Sequence, residues 1–266
     1  MTDAPRLTIE REGGVALVTL RRPERRNALD DRLLIEELGG AWTELAADED
    51  TAVVVITGEG EAFCAGADLE GCSGFRRADV ADAEDFMRAT LEPVVALHRL
   101  PQLTIAAVNG AAAGAGFGIA LACDIRIASP RARFLSPFIR MGLVPDYGLS
   151  WFLPRLVPMH VALDILLTGR FVEAEEALRL GLVARVVEDP VGDARAYARQ
   201  VAAGPHRALR VTKHALYRAL ELELEEAVLV EEARSQAIAM HGPEFRPLFE
   251  AWRAQIRGAR TARDGG

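Results

Sequence analysis

The chain has 266 residues, half of them hydrophobic, and a formal net charge of −8 at pH 7. This is enough for one large domain, or for a core domain with a smaller appendage. The charge offers no basic field to nucleic acid or an anionic membrane, no apolar run reaches the roughly 18 residues of a membrane span, and Cys64, Cys72 and Cys123 lack the spacing of a metal site or disulfide framework.

In chain order, Leu7–Glu10 and Val15–Leu20 alternate apolar and polar residues on either side of Glu12-Gly13-Gly14, which predicts an opening β-hairpin ended by Arg22-Pro23. From Asp30 or Asp31, residues Leu33, Leu34, Leu38, Trp42 and Leu45 recur at helical spacing. The β-branched run Ala52–Thr57 predicts a strand buried on both faces. A helix including Phe86, Leu91, Val94, Val95 and Leu97 follows, then a strand at Thr104–Val108, an Ala-rich helix to Ala122 and a strand at Ile125–Ala128. This alternation implies right-handed crossovers and an α/β fold. Glu70–Asp85 is polar and without a clear period, and is expected to be a mobile loop over a ligand.

Beyond Pro154 the pattern is mainly helical. Glu173–Leu180 ends at Gly181, a short strand is expected at Leu182–Val187, and helices are expected at Ala194–Ala202, Pro205–Leu220 and Leu222–Met240. Gly258–Gly266 reads as a disordered tail. The acidic run Glu221–Glu226, with Glu231 and Glu232, reads as a solvated helix face opposite Leu220, Leu224, Ala227 and Val228. The N-terminus has no cationic region followed by an apolar run, so the expected setting is soluble, reducing and cytoplasmic, with the three cysteines as small buried thiols.

Two segments carry the chemical signal, Phe63-Cys-Ala-Gly-Ala-Asp-Leu69 and Val108-Asn-Gly-Ala-Ala-Ala-Gly-Ala-Gly116. Each joins an apolar strand to a turn of small residues, where a ligand can approach the backbone and take hydrogen bonds from its amides. Such turns also serve tight packing alone. Their order and spacing resemble the crotonase superfamily, the enoyl-CoA hydratase/isomerase family. The likeness continues through Arg21–Leu29, Gly142–Gly148, Leu153–Leu156 and Ala177–Val183, covering nearly the whole chain. It implies a ββα spiral core over 1–200 and a helical oligomerisation region over 201–266. The implied partners are an acyl-CoA substrate and further copies of the chain, as a homotrimer or dimer of trimers. No nucleic acid, membrane or metal is expected. With no GxGxxG and no P-loop in the sequence, coenzyme A is expected as part of the substrate, with no separate cofactor.

Residue by residue, the resemblance puts the two oxyanion donors at the amides of Ala67 and Ala115. Coenzyme A contacts fall on Arg25, Arg26, Ala28, Ala65 and Gly66, although solvated arginines would look the same. The two glutamates of a hydratase fall on Gly118 and Phe138, neither of which carries a proton, so hydration by the usual route is not expected. The next carboxylate is Asp146, in Gly142-Leu-Val-Pro-Asp146. That phrase is similar to single-acid isomerases of the family, including those that convert a ring epoxide of phenylacetyl-CoA to an oxepin. Asp146 is therefore the expected general base, with a turn or helix-cap role as the alternative. Phe138, Tyr147 and Trp151 read either as an acyl-pocket wall or as core. Asp68 and Asp124 read as structural, and no histidine is given a role.

The expected activity is isomerisation of an acyl-CoA through an enolate. Hydrolysis, carbon–carbon cleavage, residual hydration and a non-catalytic acyl-CoA-binding subunit remain as alternatives.

Overall fold

The computed structural model describes residues 5–76 and 79–264. The chain divides into two compact units, Met1–Ala203 and Gly204–Gly266.

The first unit opens with β1 (Leu7–Glu12) and β2 (Val15–Leu20), paired antiparallel with Leu7 opposite Leu20. Gly13 and Gly14, both at positive φ, form the tight turn that sets this register. Asp30 starts the next helix, its carboxylate accepting from the Leu33 amide at 3.1 Å. After a π-helical stretch, Leu33–Glu37, the chain enters α1 (Leu38–Ala47). The apolar set Leu33, Leu34, Leu38, Trp42 and Leu45 is buried as its period required.

Three similar turns follow. β3 (Val53–Gly58) leads to the short β4 (Ala62–Cys64) and α2 (Val80–His98); β5 (Leu103–Val108) leads to β6 (Ala111–Ala113) and α3 (Ala115–Ala122); β7 (Ile125–Ala128) leads to β8 (Arg133–Leu135). Next come α4 (Leu149–Leu156), α5 (Met159–Thr168), β9 (Phe171–Glu173), α6 (Ala174–Arg179), β10 (Arg185–Val186) and α7 (Pro190–Ala202). The longer strands form a six-stranded sheet in the order β1-β2-β3-β5-β7-β10, parallel except for β1. The short strands form a second sheet, β4-β6-β8-β9, parallel except for β9. This is the expected ββα spiral. β3 is buried at all six positions, as its unbroken β-branched run predicted.

Several expectations change. α2 begins at Val80, where the Asp79 carboxylate accepts from the Asp82 amide at 2.8 Å, so the expected loop over Glu70–Asp85 is shorter. Its first turns face solvent, with Val80 82% exposed, and therefore carry no apolar period. Ser73–Arg76 forms a 3-10 turn, and residues 77–78 of that loop lie outside the described residues. The strand expected at Leu182–Val187 shrinks to Arg185–Val186, because the Leu182 amide donates to the Ala177 carbonyl and closes the turn after Gly181.

The second unit contains α8 (His206–Ala219), then α9 (Leu224–Glu226), which passes through a π-helical stretch, Ala227–Glu232, into α10 (Ala233–Met240), and finally α11 (Phe245–Asp264). The expected disordered tail is therefore helical through Asp264, its Ala and Arg residues being good helix formers. The acidic helix keeps most of its expected solvated face: Glu221, Glu223, Glu225, Glu226 and Glu232 are exposed and Ala227 is buried. Glu231 departs from it, being buried and accepting from the Ser235 hydroxyl at 3.2 Å, and on the apolar side Leu220, Leu224 and Val228 are exposed at 81%, 76% and 41%. Among the described residues no helix is long and apolar enough to cross a membrane.

Candidate active site

The two Gly/Ala turns come together at the ends of the spiral strands. Leu29 bridges to Ala67 in parallel fashion, its amide donating to the Gly66 carbonyl at 2.8 Å and its carbonyl accepting from the Asp68 amide at 2.8 Å. In such a bridge Ala67's own N–H faces away from Leu29. Among the described hydrogen bonds, none uses it. Ala115 is the first residue of α3, and a helix's first amides have no partner within the helix. Gly66, at φ +91°, lets the first turn lie against the second: a Cβ built there would fall 3.4 Å from the Ala115 nitrogen and 2.7 Å from the Ala113 carbonyl oxygen. The two amides are thus neighbours at the positive end of a wholly buried helix. At the other end of α3, the buried Arg126 guanidinium donates to the Cys123 carbonyl at 2.5 Å, serving the helix's negative pole.

The segment Arg22–Leu29 is stitched to the first turn. The Ala65 amide donates to the Arg26 carbonyl at 3.0 Å, and Arg22 donates to the Ala28 carbonyl and, at 3.0 Å, to the Asp68 carboxylate. Arg25, Arg26, Ala28, Ala65 and Gly66 are therefore brought together. Asn27, which the sequence reading missed, is the keystone. Buried at φ +57°, it accepts from the Arg22 amide and donates to the Glu59 and Ala62 carbonyls at 2.9 and 2.8 Å. The visible clue was an Asn inside a turn, a residue that tolerates left-handed backbone and bonds locally.

Beside these residues lies a polar cleft of about 440 Å³, walled by Arg6, Arg22, Arg25 and Arg32 with Asp30, Asp68 and Glu70. Arg25 is half exposed and pairs with Glu70 at 2.8 Å. In that position it can exchange its carboxylate partner for a phosphate. Asp68 has the structural role expected of it, accepting from the Glu70 and Gly71 amides, both at 3.2 Å, and from Arg22. Burial works to raise its pKa, but Arg22 and the two amides outweigh that effect and hold it below the ordinary carboxylate range. Asp124 is structural as well, accepting from the amide and hydroxyl of Thr104 at 2.7 and 2.9 Å.

The third wall is Pro137–Leu149. Phe138 is buried, and a Cβ on Gly114 would lie 3.7 Å from its ring. The turn Asp146-Tyr147-Gly148 packs on α3 at Gly118; a side chain at Gly118 would run into Tyr147, meeting its Cβ at 2.9 Å. This turn is held by positive φ at both Tyr147 (49°) and Gly148 (82°). The cap position of α4 is Gly148, with no side-chain capping bond, so the carboxylate of Asp146 does not cap that helix. Burial raises the pKa of Asp146 to about 6, against the opposing effect of its own amide. No other described residue hydrogen-bonds this carboxylate.

Tyr147 is almost fully buried. Trp151, by contrast, is 41% exposed, and its described contacts are with His98, Phe152 and Arg155, with no described contact to the donor turns. Cys64, Cys72 and Cys123 are buried, and burial pushes the Cys64 thiol up to about 12, so it stays protonated.

Similar proteins share this architecture. The family model described as enoyl-CoA hydratase/isomerase matches residues 10–244. A protein named probable enoyl-CoA hydratase from Mycobacterium bovis is 40% identical over 85% of this chain and 86% of its own length. The (E)-benzylidenesuccinyl-CoA hydratase of Thauera aromatica is 37% identical over 84% and 86%. The crystal structure of an enoyl-CoA hydratase from Mycobacterium smegmatis superposes with a TM-score of 0.87 at 33% identity, covering 94% of this chain and 97% of that one. On its sequence and its spiral fold alike, this chain belongs to the enoyl-CoA hydratase/isomerase family.

Proposed function

We propose that the protein isomerises an acyl-CoA, moving a carbon–carbon double bond or opening a strained ring through a thioester enolate. One observation carries this reading: Asp146 is a half-buried carboxylate with a pKa raised to about 6, on a turn that packs against the helix whose first residue is Ala115. The Ala67 and Ala115 amides hold the thioester oxygen as it becomes negative, which acidifies the adjoining carbons. Asp146 takes a proton from one carbon and returns it to another, and a pKa near the working pH serves both halves of that cycle. Arg25 and Arg26 meet the phosphates of the coenzyme A portion, which arrives with the substrate. No separate cofactor takes part. Phe138 walls the acyl group beside the donors.

A second reading, hydration, is favoured by the names of the relatives. Against it stand Gly118 and Phe138, which supply no second acid. The two are separated by incubating purified protein with 3-enoyl-CoA and crotonyl-CoA esters. Conversion of the 3-enoyl esters with negligible water addition supports isomerisation. Robust hydration of crotonyl-CoA, without double-bond migration, overturns it.

The assembly we propose is a homotrimer or a dimer of trimers. The exposed Leu220, Leu224 and Leu229 of the second unit support self-association. Light scattering that finds a monomer at micromolar concentration refutes this.

A further inference from the structure

Two hydroxyls, Ser136 Oγ and Tyr147 OH, are buried without a hydrogen-bond partner among the described residues. Both belong to the wall of the candidate site: Ser136 precedes Pro137-Phe138 at the Gly114 turn, and Tyr147 follows Asp146. A serine hydroxyl stays beside its own backbone. A phenol projects far from its own backbone, and an unpaired buried one costs stability unless something accepts from it.

The backbone around Tyr147 indicates that its placement is no accident of packing. An aromatic residue at φ +49° is an uncommon conformation, of the kind that persists where the surrounding structure imposes it. Gly118 leaves the space in which Tyr147's backbone and Cβ sit. The phenol shares its buried environment with the Cys64 thiol and the Asp146 carboxylate; burial and these two groups all push its pKa upward, so it remains a proton donor. Cys64 lies three residues before Ala67, and a Cβ on Gly116, the residue after Ala115, would meet the Cys64 Cβ at 2.7 Å. Tyr147 therefore packs on the same helix that begins at Ala115 and on which Cys64 packs, next in the chain to Asp146, with its hydroxyl buried and unpaired among the described residues.

We infer that the Tyr147 hydroxyl is a specificity donor for an oxygen atom carried by the acyl group beyond the thioester, so that the preferred substrates are oxygen-bearing acyl-CoA esters and not plain hydrocarbon ones. A hydrocarbon chain leaves the donor unpaired, whereas a ketone, ether or hydroxyl oxygen satisfies it. Sites built on a buried donor discriminate strongly against ligands that lack the acceptor. This rests on the acyl-CoA reading of the site but not on Asp146 acting as the base.

The test is calorimetric binding of esters that cannot undergo double-bond migration: heptanoyl-CoA against its 4-oxo, 5-oxo and 6-oxo derivatives, which move the acceptor along the chain. Wild-type protein should bind at least one oxo ester about tenfold or more tightly than heptanoyl-CoA. Tyr147→Phe, which keeps the ring and removes only the hydroxyl, should abolish that preference while leaving heptanoyl-CoA affinity equal or improved. Equal binding of all four esters by the wild type, an undiminished preference in Tyr147→Phe, or an equal loss for every ester would overturn the inference. Failure to bind any of the esters would instead overturn the acyl-CoA reading beneath it. Loss of turnover in an Asp146 variant leaves this result untouched.

Discussion

Asp68 follows the Gly66-Ala67 turn and Asp146 opens the Tyr147-Gly148 turn, yet the surroundings of the two carboxylates are opposite. Asp68 is surrounded by donors, two backbone amides and the Arg22 guanidinium, which outweigh the effect of burial and hold its pKa below the ordinary carboxylate range. Asp146 is half-buried with only its own amide to help it, and its pKa rises to about 6. A carboxylate with a full set of partners is a brace. One without them, held near neutrality at a strained turn, is available to move a proton. The difference lies in what the fold brings to each carboxylate, since the residue type is the same.

The contrast breaks most readily at Asp146. Asp146→Asn keeps the side chain's size but cannot cycle a proton, and turnover should fall about a hundredfold or more while acyl-CoA affinity stays near normal. Unchanged turnover on an ester that the wild type isomerises would return Asp146 to a purely structural role. The amide pair is tested next. Ala67→Pro removes one N–H, and a folded variant should lose about a hundredfold in turnover, while Ala67→Ser keeps the donor and most of the activity. A folded Ala67→Pro protein with full activity and affinity would locate the thioester elsewhere.

Stability sharpens the same comparison. Gly118→Ala drives a methyl into Tyr147 and should cost about 1–3 kcal/mol in denaturant unfolding, with turnover falling as the Asp146 turn is displaced. Asp68→Asn strips a charge from the Arg22 pair and should cost about 1–3 kcal/mol, with a much smaller effect on turnover than Asp146→Asn. Equal losses of turnover at the two aspartates would erase the distinction between them.

The smallest effect is a difference of sign with pH. Because the folded-state pKa of Asp146 lies above its unfolded value of about 4, the folded protein holds this proton more tightly than the unfolded chain does. Ionisation of Asp146 therefore subtracts stability as the pH rises from about 4 through 6. Asp146→Asn escapes that loss and should melt higher than wild type at pH 8, by at most about 3 kcal/mol in stability, with little difference at pH 4. Asp68 works the other way: its lowered pKa gives stability that is present above the ordinary carboxylate range and lost on acidification. The rate itself should rise with pH through an apparent pKa near 6.

Much of this molecule was legible in the amino-acid sequence alone. The long strands and helices announce themselves because burial on one face or two imposes a period, as in Leu33 to Leu45 and Val53 to Ile56. The two Gly/Ala turns were visible because small residues allow close approach to the backbone, and the resemblance placed residues without a titratable side chain, Gly118 and Phe138, where a hydratase is expected to carry its acids. Three-residue strands such as β4, β6 and β8 are too short to carry a period, so the second sheet emerged only from their pairing. Asn27 became a keystone only once carbonyls from Glu59 and Ala62 were folded onto it. Sequence also identified Asp146 as a candidate while leaving its role open. Tertiary structure decided what surrounds it, because desolvation and hydrogen bonding depend on distant segments: Arg22 reaches Asp68 across 46 positions of chain, and among the described residues no side chain hydrogen-bonds the Asp146 carboxylate.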